Sequence, residues 1–246
     1  VPVYVFWNVC EVEENEKIDN KHNLRVIYDA AHVLGVKYKG ESLLNHGDVS
    51  TLSFHATKLF HTIEGGALII NDDALVEEAR FLINFGIDGP DSVKALGTNA
   101  KMNEFEAAMG LCVLDDIEKI TENRKEFFER YKSGLEGVVK FQQYNVDSTY
   151  NYSYFPALFE NEEQTLKVQK ALNEANVFPR RYFYTTLDTL PYVEVSNIMN
   201  VSRSISKRIL TLPMYPELSQ ADQNNIIEIV KRTVKELWWI STEFRM

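Results

Sequence analysis

Three short apolar runs, close together, constrain this chain more than anything else in it. Residues 24–28, 49–54 and 66–70 are each five or six residues long and rich in β-branched and aromatic side chains. Each gives way to polar or turn-forming residues: Asp29, the segment from His55, and Asn71-Asp72. They lack the sustained apolar–polar alternation of a strand with one wet face, which points to a sheet covered on both faces. Before and after them lie stretches of helical spacing, at 11–23 and at 74–85, the latter stopped by Gly86. Strands interleaved with helices predict α/β architecture. Residues 1–7 are apolar throughout and read as a further buried strand.

The second half has a different texture. From 103 to 134 apolar residues such as Phe105, Met109, Cys112, Ile117 and Ile120 recur at helical spacing. Asn103 with Glu106 three residues on makes a capping box at the start, and Asp115-Asp116 marks a break. Strands follow at 138–141, 152–159 and 177–184, with helices at 163–175 and 219–240. Met102 and Met109 read as core, and Trp238 and Trp239 as core or interface. The division expected is a large domain over 1–130 and a smaller α+β lobe over 131–246.

Composition excludes whole classes. In 246 residues there are 26 Lys+Arg against 36 Asp+Glu, a net charge of −10. That opposes nucleic acid as a partner, because phosphate neutralisation needs a basic surface. No apolar run reaches the roughly 18–20 residues that span a bilayer, so no membrane partner is expected. Cys10 and Cys112 lie far apart with no metal-ligand spacing, which reads as two buried thiols in a reducing compartment, hence cytoplasmic. All five histidines fall between His22 and His61, with no pair at helical metal-binding spacing, so no metal site is expected.

Ligands of parallel sheets bind at the carboxyl ends of strands. Two such ends carry reactive groups: Asp29, closing one strand, and Lys58, shortly after another in Ser53-Phe54-His55-Ala56-Thr57-Lys58. An arbitrary Asp and Lys so placed form a salt bridge or stay solvated. Here Lys58 lies between an aromatic-rich strand and the turn Glu64-Gly65-Gly66. A lysine desolvated there has a lowered pKa and turns nucleophilic toward carbonyls. An Asp beside a pyridine nitrogen is the complementary half of pyridoxal phosphate (PLP) chemistry. Ser53 with turn amides could hold a phosphate.

The segments VIYDAAHVLGV, GDVSTLSFHATKLFHTIEGGALIINDD and GTNAKMNEFEAAMGL, in this order and spacing, resemble the motifs of the DegT-type sugar aminotransferases. These are a branch of the fold-type I PLP enzymes: a mostly parallel sheet with helices on both faces, plus a smaller C-terminal lobe. The resemblance implies that Lys58 forms the Schiff base with PLP and shuttles a proton. It implies that Asp29 pairs with the pyridinium nitrogen, that His32 lies by the ring hydroxyl and that Ser53 binds the phosphate. Asn99 resembles the residue that reaches the phosphate of a neighbouring subunit, which implies a homodimer with shared sites. Arg181 and Tyr182 fall where the family contacts substrate, and equally where surface charge and lobe packing would place them. For His55 and His61 local structure is the expected role.

The implied reaction moves an amino group from an amino acid, glutamate by expectation, to a nucleotide-linked keto sugar. The expected acceptor is a dTDP-4-keto-6-deoxyhexose of polysaccharide biosynthesis such as O-antigen. Two alternatives remain open on sequence. One is a PLP-dependent sugar dehydratase, whose members typically carry His in place of the lysine. The other is a truncated, non-catalytic homologue that only dimerises or binds. Two features depart from the family pattern: Trp7 stands where it often has Gly, and Val9 where it has Pro. The chain also opens on Val1 inside the apolar stretch, which reads as a start within a longer protein.

Overall fold

The computed structural model describes residues 1–194 and 197–243, and side chains up to 236; Trp238 and Trp239 therefore lie outside the described side chains. In chain order the elements begin with α1 (Val12–His22), β1 (Ile27–Asp29), β2 (Lys37–Tyr38), β3 (Glu41–Ser42), β4 (Val49–Ser53) and β5 (Gly66–Ile70). They continue with α2 (Val76–Ile83), β6 (Ile87–Gly89), β7 (Ser92–Val93) and α3 (Glu104–Leu135). The last are β8 (Phe155–Leu158), α4 (Glu162–Glu174), α5 (Asn200–Arg208), β9 (Ile209–Leu212) and α6 (Gln220–Glu243). Two compact units result. The first is 1–121 with 144–153, and the second is 122–143 with 154–246. The chain thus leaves the first unit, enters the second, and returns for ten residues.

The first unit is built on a sheet of order β1-β4-β5. β1 runs parallel to β4, with Asp29 opposite Thr51, and β4 runs antiparallel to β5, with Ser53 opposite Gly66. The α/β class read from sequence holds, with a mixed sheet. Its core includes Tyr28, Ala30, Val33, Leu43 and Leu52. Tyr4 stacks on Tyr28 at 4.8 Å, which places an aromatic pair rather than a loose aliphatic contact at the start of the chain.

The opening strand is corrected. Val3 bridges Asp29 in parallel, and Tyr4 N–H donates to the Asp29 carbonyl at 3.0 Å. Beyond that point the backbone turns: Val5–Trp7 is a short 3-10 turn, with Phe6 and Trp7 at φ of 51° and 56°. Left-handed backbone costs about 1–2 kcal/mol for a residue with a Cβ. Packing offsets it here. Trp7 is fully buried and stacks on Tyr144 at 4.3 Å, with Tyr150 tilted against it at 4.9 Å. Side-chain packing has overridden β propensity.

The second unit pairs β8 with β9 antiparallel and packs α4 and α6 together. Phe155 is its centre, within about a ring diameter of Phe128 (5.1 Å) and Tyr131 (5.0 Å). The strands expected at 138–141 and 177–184 reduce to isolated bridges, Lys140 to Leu158 and Arg180 to Thr211. α3 begins with the expected capping box: Asn103 Oδ1 accepts from Glu106 N–H, and Asn103 N–H donates back to Glu106 Oε2 at 3.1 Å. It runs unbroken past Asp115 and Asp116, which are exposed and leave the backbone ladder undisturbed. Two burial expectations fail with it. Met102 is exposed, and Cys112, though a free thiol like Cys10, is exposed too.

Gly66 is where β4 and β5 press closest. A Cβ there would meet the Leu52 carbonyl oxygen at 2.7 Å, a backbone atom with no room to yield. Gly66→Ala is expected to destabilise the fold by about 1–3 kcal/mol, read as a lower urea midpoint at unchanged slope.

Candidate active site

The parallel register of β1 and β4 brings their carboxyl ends to one edge of the sheet. Ala30 N–H extends the ladder by donating to the Thr51 carbonyl at 2.9 Å. Asp29 then closes its own turn, with Oδ1 accepting from Ala31 N–H at 3.1 Å. That bond fixes one carboxylate oxygen at the strand end.

Lys58 comes from the loop 54–65, which is stapled at its base. Phe54 N–H donates to the Gly65 carbonyl at 2.8 Å, and Thr62 N–H to the Phe54 carbonyl at 2.9 Å. Phe60 packs edge-on against Phe54 at 4.7 Å, and Leu59 and Thr62 are buried. The loop is therefore anchored by its own side chains rather than free to swing. Lys58 is half-buried. Burial pushes its ammonium below the usual lysine range, and the Asp29 carboxylate opposes that shift. Among the described residues no hydrogen bond or ion pair holds the Lys58 amine. An amine with a depressed pKa and no fixed partner is what nucleophilic or proton-transfer work requires.

His32 is buried, at 8% exposure. Its Nδ1 accepts from Phe6 N–H at 3.1 Å, and its carbonyl accepts from Asn151 Nδ2 at 2.9 Å. Burial first, then the nearby Lys58 charge, lowers its pKa to about 3. The ring is therefore neutral at physiological pH. Ser53 ends β4 on the same edge, its Oγ accepting a long 3.5 Å bond from His55 N–H.

The remaining candidates have partners of their own. Asn99 is exposed, with Oδ1 accepting from Lys101 Nζ at 2.7 Å. His55 is engaged locally with Thr57 (2.8 Å) and Glu64 (3.6 Å), and His61 Nδ1 accepts from Ile63 N–H. In the second unit Arg181 donates to Glu162 at 2.9 Å and lies over the Tyr184 ring at 3.7 Å. Tyr182 takes a bond from Arg180 at 2.7 Å through its hydroxyl. Sequence reasoning missed Asn151 and the backbone of Phe6. The signal available was the density of tyrosines in YNVDSTYNYSY, a run that a strand at 152–159 only partly explains.

A lysine of lowered pKa, a strand-end carboxylate and a buried neutral imidazole thus share the first unit. The chain belongs to the DegT/DnrJ/EryC1/StrS aminotransferase family, whose sequence profile matches residues 1–231. It is similar to the dTDP-4-amino-4,6-dideoxy-D-glucose transaminase of Shigella dysenteriae, 37% identical over 96% of this chain and 65% of the relative. The Escherichia coli protein of the same name is 34% identical over 89% and 62%. The crystal structure of DesI with its TDP-sugar product superposes with a TM-score of 0.88 at 28% identity, over 99% of this chain and 64% of that one. The fold is that of fold-type I PLP-dependent transferases. The chain spans just under two thirds of the length of these relatives.

The buried neutral imidazole has a thermodynamic signature. The unfolded chain takes up a proton at His32 near pH 6.5 and the folded chain only near 3, so stability falls as pH drops through that window. Between pH 7 and 5 this one group should cost about 2 kcal/mol. His32→Gln should flatten that acid limb in urea denaturation measured at both pH values.

Proposed function

We propose that the protein is a PLP-dependent transaminase that moves an amino group from glutamate to a dTDP-4-keto-6-deoxyhexose. The observation that carries the reading is Lys58, its amine depressed by burial and set against Asp29 at the edge shared by β1 and β4. The names of the two relatives above 30% identity supply the sugar. Lys58 also weighs against the dehydratase alternative, which lacks that lysine.

The residues fit the cofactor by their donor set: a carboxylate for the pyridine nitrogen, an imidazole N–H for the ring oxygen, and a hydroxyl with turn amides for the phosphate. PLP, when bound, supplies an electron sink for the substrate α-carbon and carries the amino group between the two half-reactions. Asp29 keeps the ring nitrogen protonated, and its Ala31 hydrogen bond keeps the carboxylate aimed. His32 offers its remaining N–H to the ring oxygen. Ser53 orients the phosphate, with Asn99 contributing from a second subunit. Lys58, whose charge burial disfavours, would take a proton from the substrate α-carbon and return it at the cofactor's C4′. Arg181 and Tyr182, in the second unit, are the candidate substrate contacts. Arg181 is the weaker of the two, because an anionic substrate would have to displace Glu162.

The proposed active form is a homodimer. Exposed apolar side chains on and just before α3, Leu96, Phe105 and Leu111, provide a surface for a second copy. Phe105→Glu should shift the sedimentation coefficient toward the monomer. Lys58→Ala should keep the fold but lose amino transfer by about 10³-fold or more, the scale of a lost acid–base group. Mass spectrometry of nucleotide-sugar product, with glutamate as donor, measures it; a fully active variant overturns the assignment.

A further inference from the structure

The sequence leaves one question at the site: why Trp7 stands in a left-handed backbone position that suits glycine. The turn around His32 answers it. Phe6 N–H donates to His32 Nδ1 at 3.1 Å. A backbone amide can only donate, so Nδ1 must present its lone pair. In a neutral ring the single proton then lies on Nε2. Holding that amide in place requires holding residues 5–7, and the ring of Trp7, near-parallel to Tyr144 at 4.3 Å and 9°, ties them to the rest of the first unit.

Tyr144 belongs to the strap 144–153, the segment that returns to the first unit. The strap is fastened along its length. Asn145 N–H donates to Asn8 Oδ1 at 3.2 Å, Lys39 N–H to the Asp147 carbonyl at 2.8 Å, and Lys37 N–H to Thr149 Oγ1 at 2.8 Å. Near its far end Asn151, itself buried, spends both amide hydrogens on the turn that carries the imidazole. They go to the His32 carbonyl at 2.9 Å and the Leu34 carbonyl at 3.0 Å, while its Oδ1 accepts from Ser153 N–H at 3.2 Å. The imidazole is thus gripped through its ring by the 5–7 turn and through its backbone by the strap, and the Trp7–Tyr144 stack joins the two.

We propose that Trp7 and Asn151 are positioning residues for His32, which fix its imidazole as the Nε2–H tautomer so that its one proton is offered to the cofactor's ring oxygen. The direction of that offer rests on the transaminase reading; the tautomer and its cause do not. The 5–7 turn brings a backbone N–H to the ring and the strap brings a carboxamide to its backbone. Lys58, opposed by Asp29, is the charge that acts on it from the loop 54–65.

The test is carried out on the chain without cofactor or substrate. Imidazole ¹⁵N–¹H correlation spectra are recorded from neutral pH down to about pH 5. Wild type is expected to show His32 as a single neutral Nε2–H form that does not titrate over this range. Trp7→Gly tolerates the left-handed backbone and removes the ring that stacks on Tyr144 and meets Tyr150. It and Asn151→Ala should each admit the second tautomer and raise the His32 midpoint by at least one pH unit. Trp7→Phe, which restores a ring, should return the wild-type spectrum. If Trp7→Gly does not fold, Tyr144→Ala removes the other half of the stack. A wild-type His32 carrying its proton on Nδ1 overturns the proposal. So do folded variants with an unchanged His32 spectrum. A chain with this tautomer that transfers no amino group refutes the transaminase reading alone.

Discussion

The parallel pairing of β1 with β4 is the constraint on which the site depends. Three residue pairs suffice, Ile27 with Val49 through Asp29 with Thr51, because the two strands then end at the same edge. Slipping that register by one residue would turn Asp29 to the opposite face. The antiparallel return of β5 completes the arrangement: it draws Gly66 against Leu52 and closes the loop that presents Lys58. Neither reactive group is held by the other. The carboxylate is held by the Ala31 N–H and the lysine's loop by its own backbone hydrogen bonds, so each is placed by its own element. Their mutual attraction can then tune charge without having to supply the structure.

The amine and the imidazole are tuned by the same cause. Burial disfavours a positive charge, so it lowers the pKa of both, and each positive charge would further oppose the other. The Asp29 carboxylate acts in the other direction on Lys58. Burial thus works against the cationic form of two side chains of the first unit.

Much of this was legible in the sequence where a single local rule decided the outcome. β4 and β5 lie within a residue of the apolar runs that announced them, and Asn103 with Glu106 capped α3 as their spacing required. Asp29 and Ser53 sit at strand ends, and Lys58 in the loop that follows β4, because strands end where apolar residues stop. The reading failed where distant residues decided. Residues 4–7 have strand composition, but the His32 ring claims the Phe6 amide and Tyr144 claims the Trp7 ring, contacts spanning 26 residues in the first case and most of the first unit in the second. Met102 and Cys112 have the spacing of a buried face, yet spacing names only which residues share a face and not whether that face is covered. Asn151 was invisible because an asparagine in a tyrosine-rich loop carries no local mark of its partner.

The strap's return to the first unit has a consequence for how the protein is made. His32 and Asn151 are separated by 119 positions, and the whole of residues 122–143 is synthesised between them. At about 5–20 residues per second, the histidine turn emerges from the ribosome on the order of ten seconds before the amide that clasps it. Until then the hydrogen bonds from Asn151 to the His32 and Leu34 carbonyls cannot form. The clasp on the histidine turn therefore comes late in translation, with the arrival of Tyr144 and Asn151.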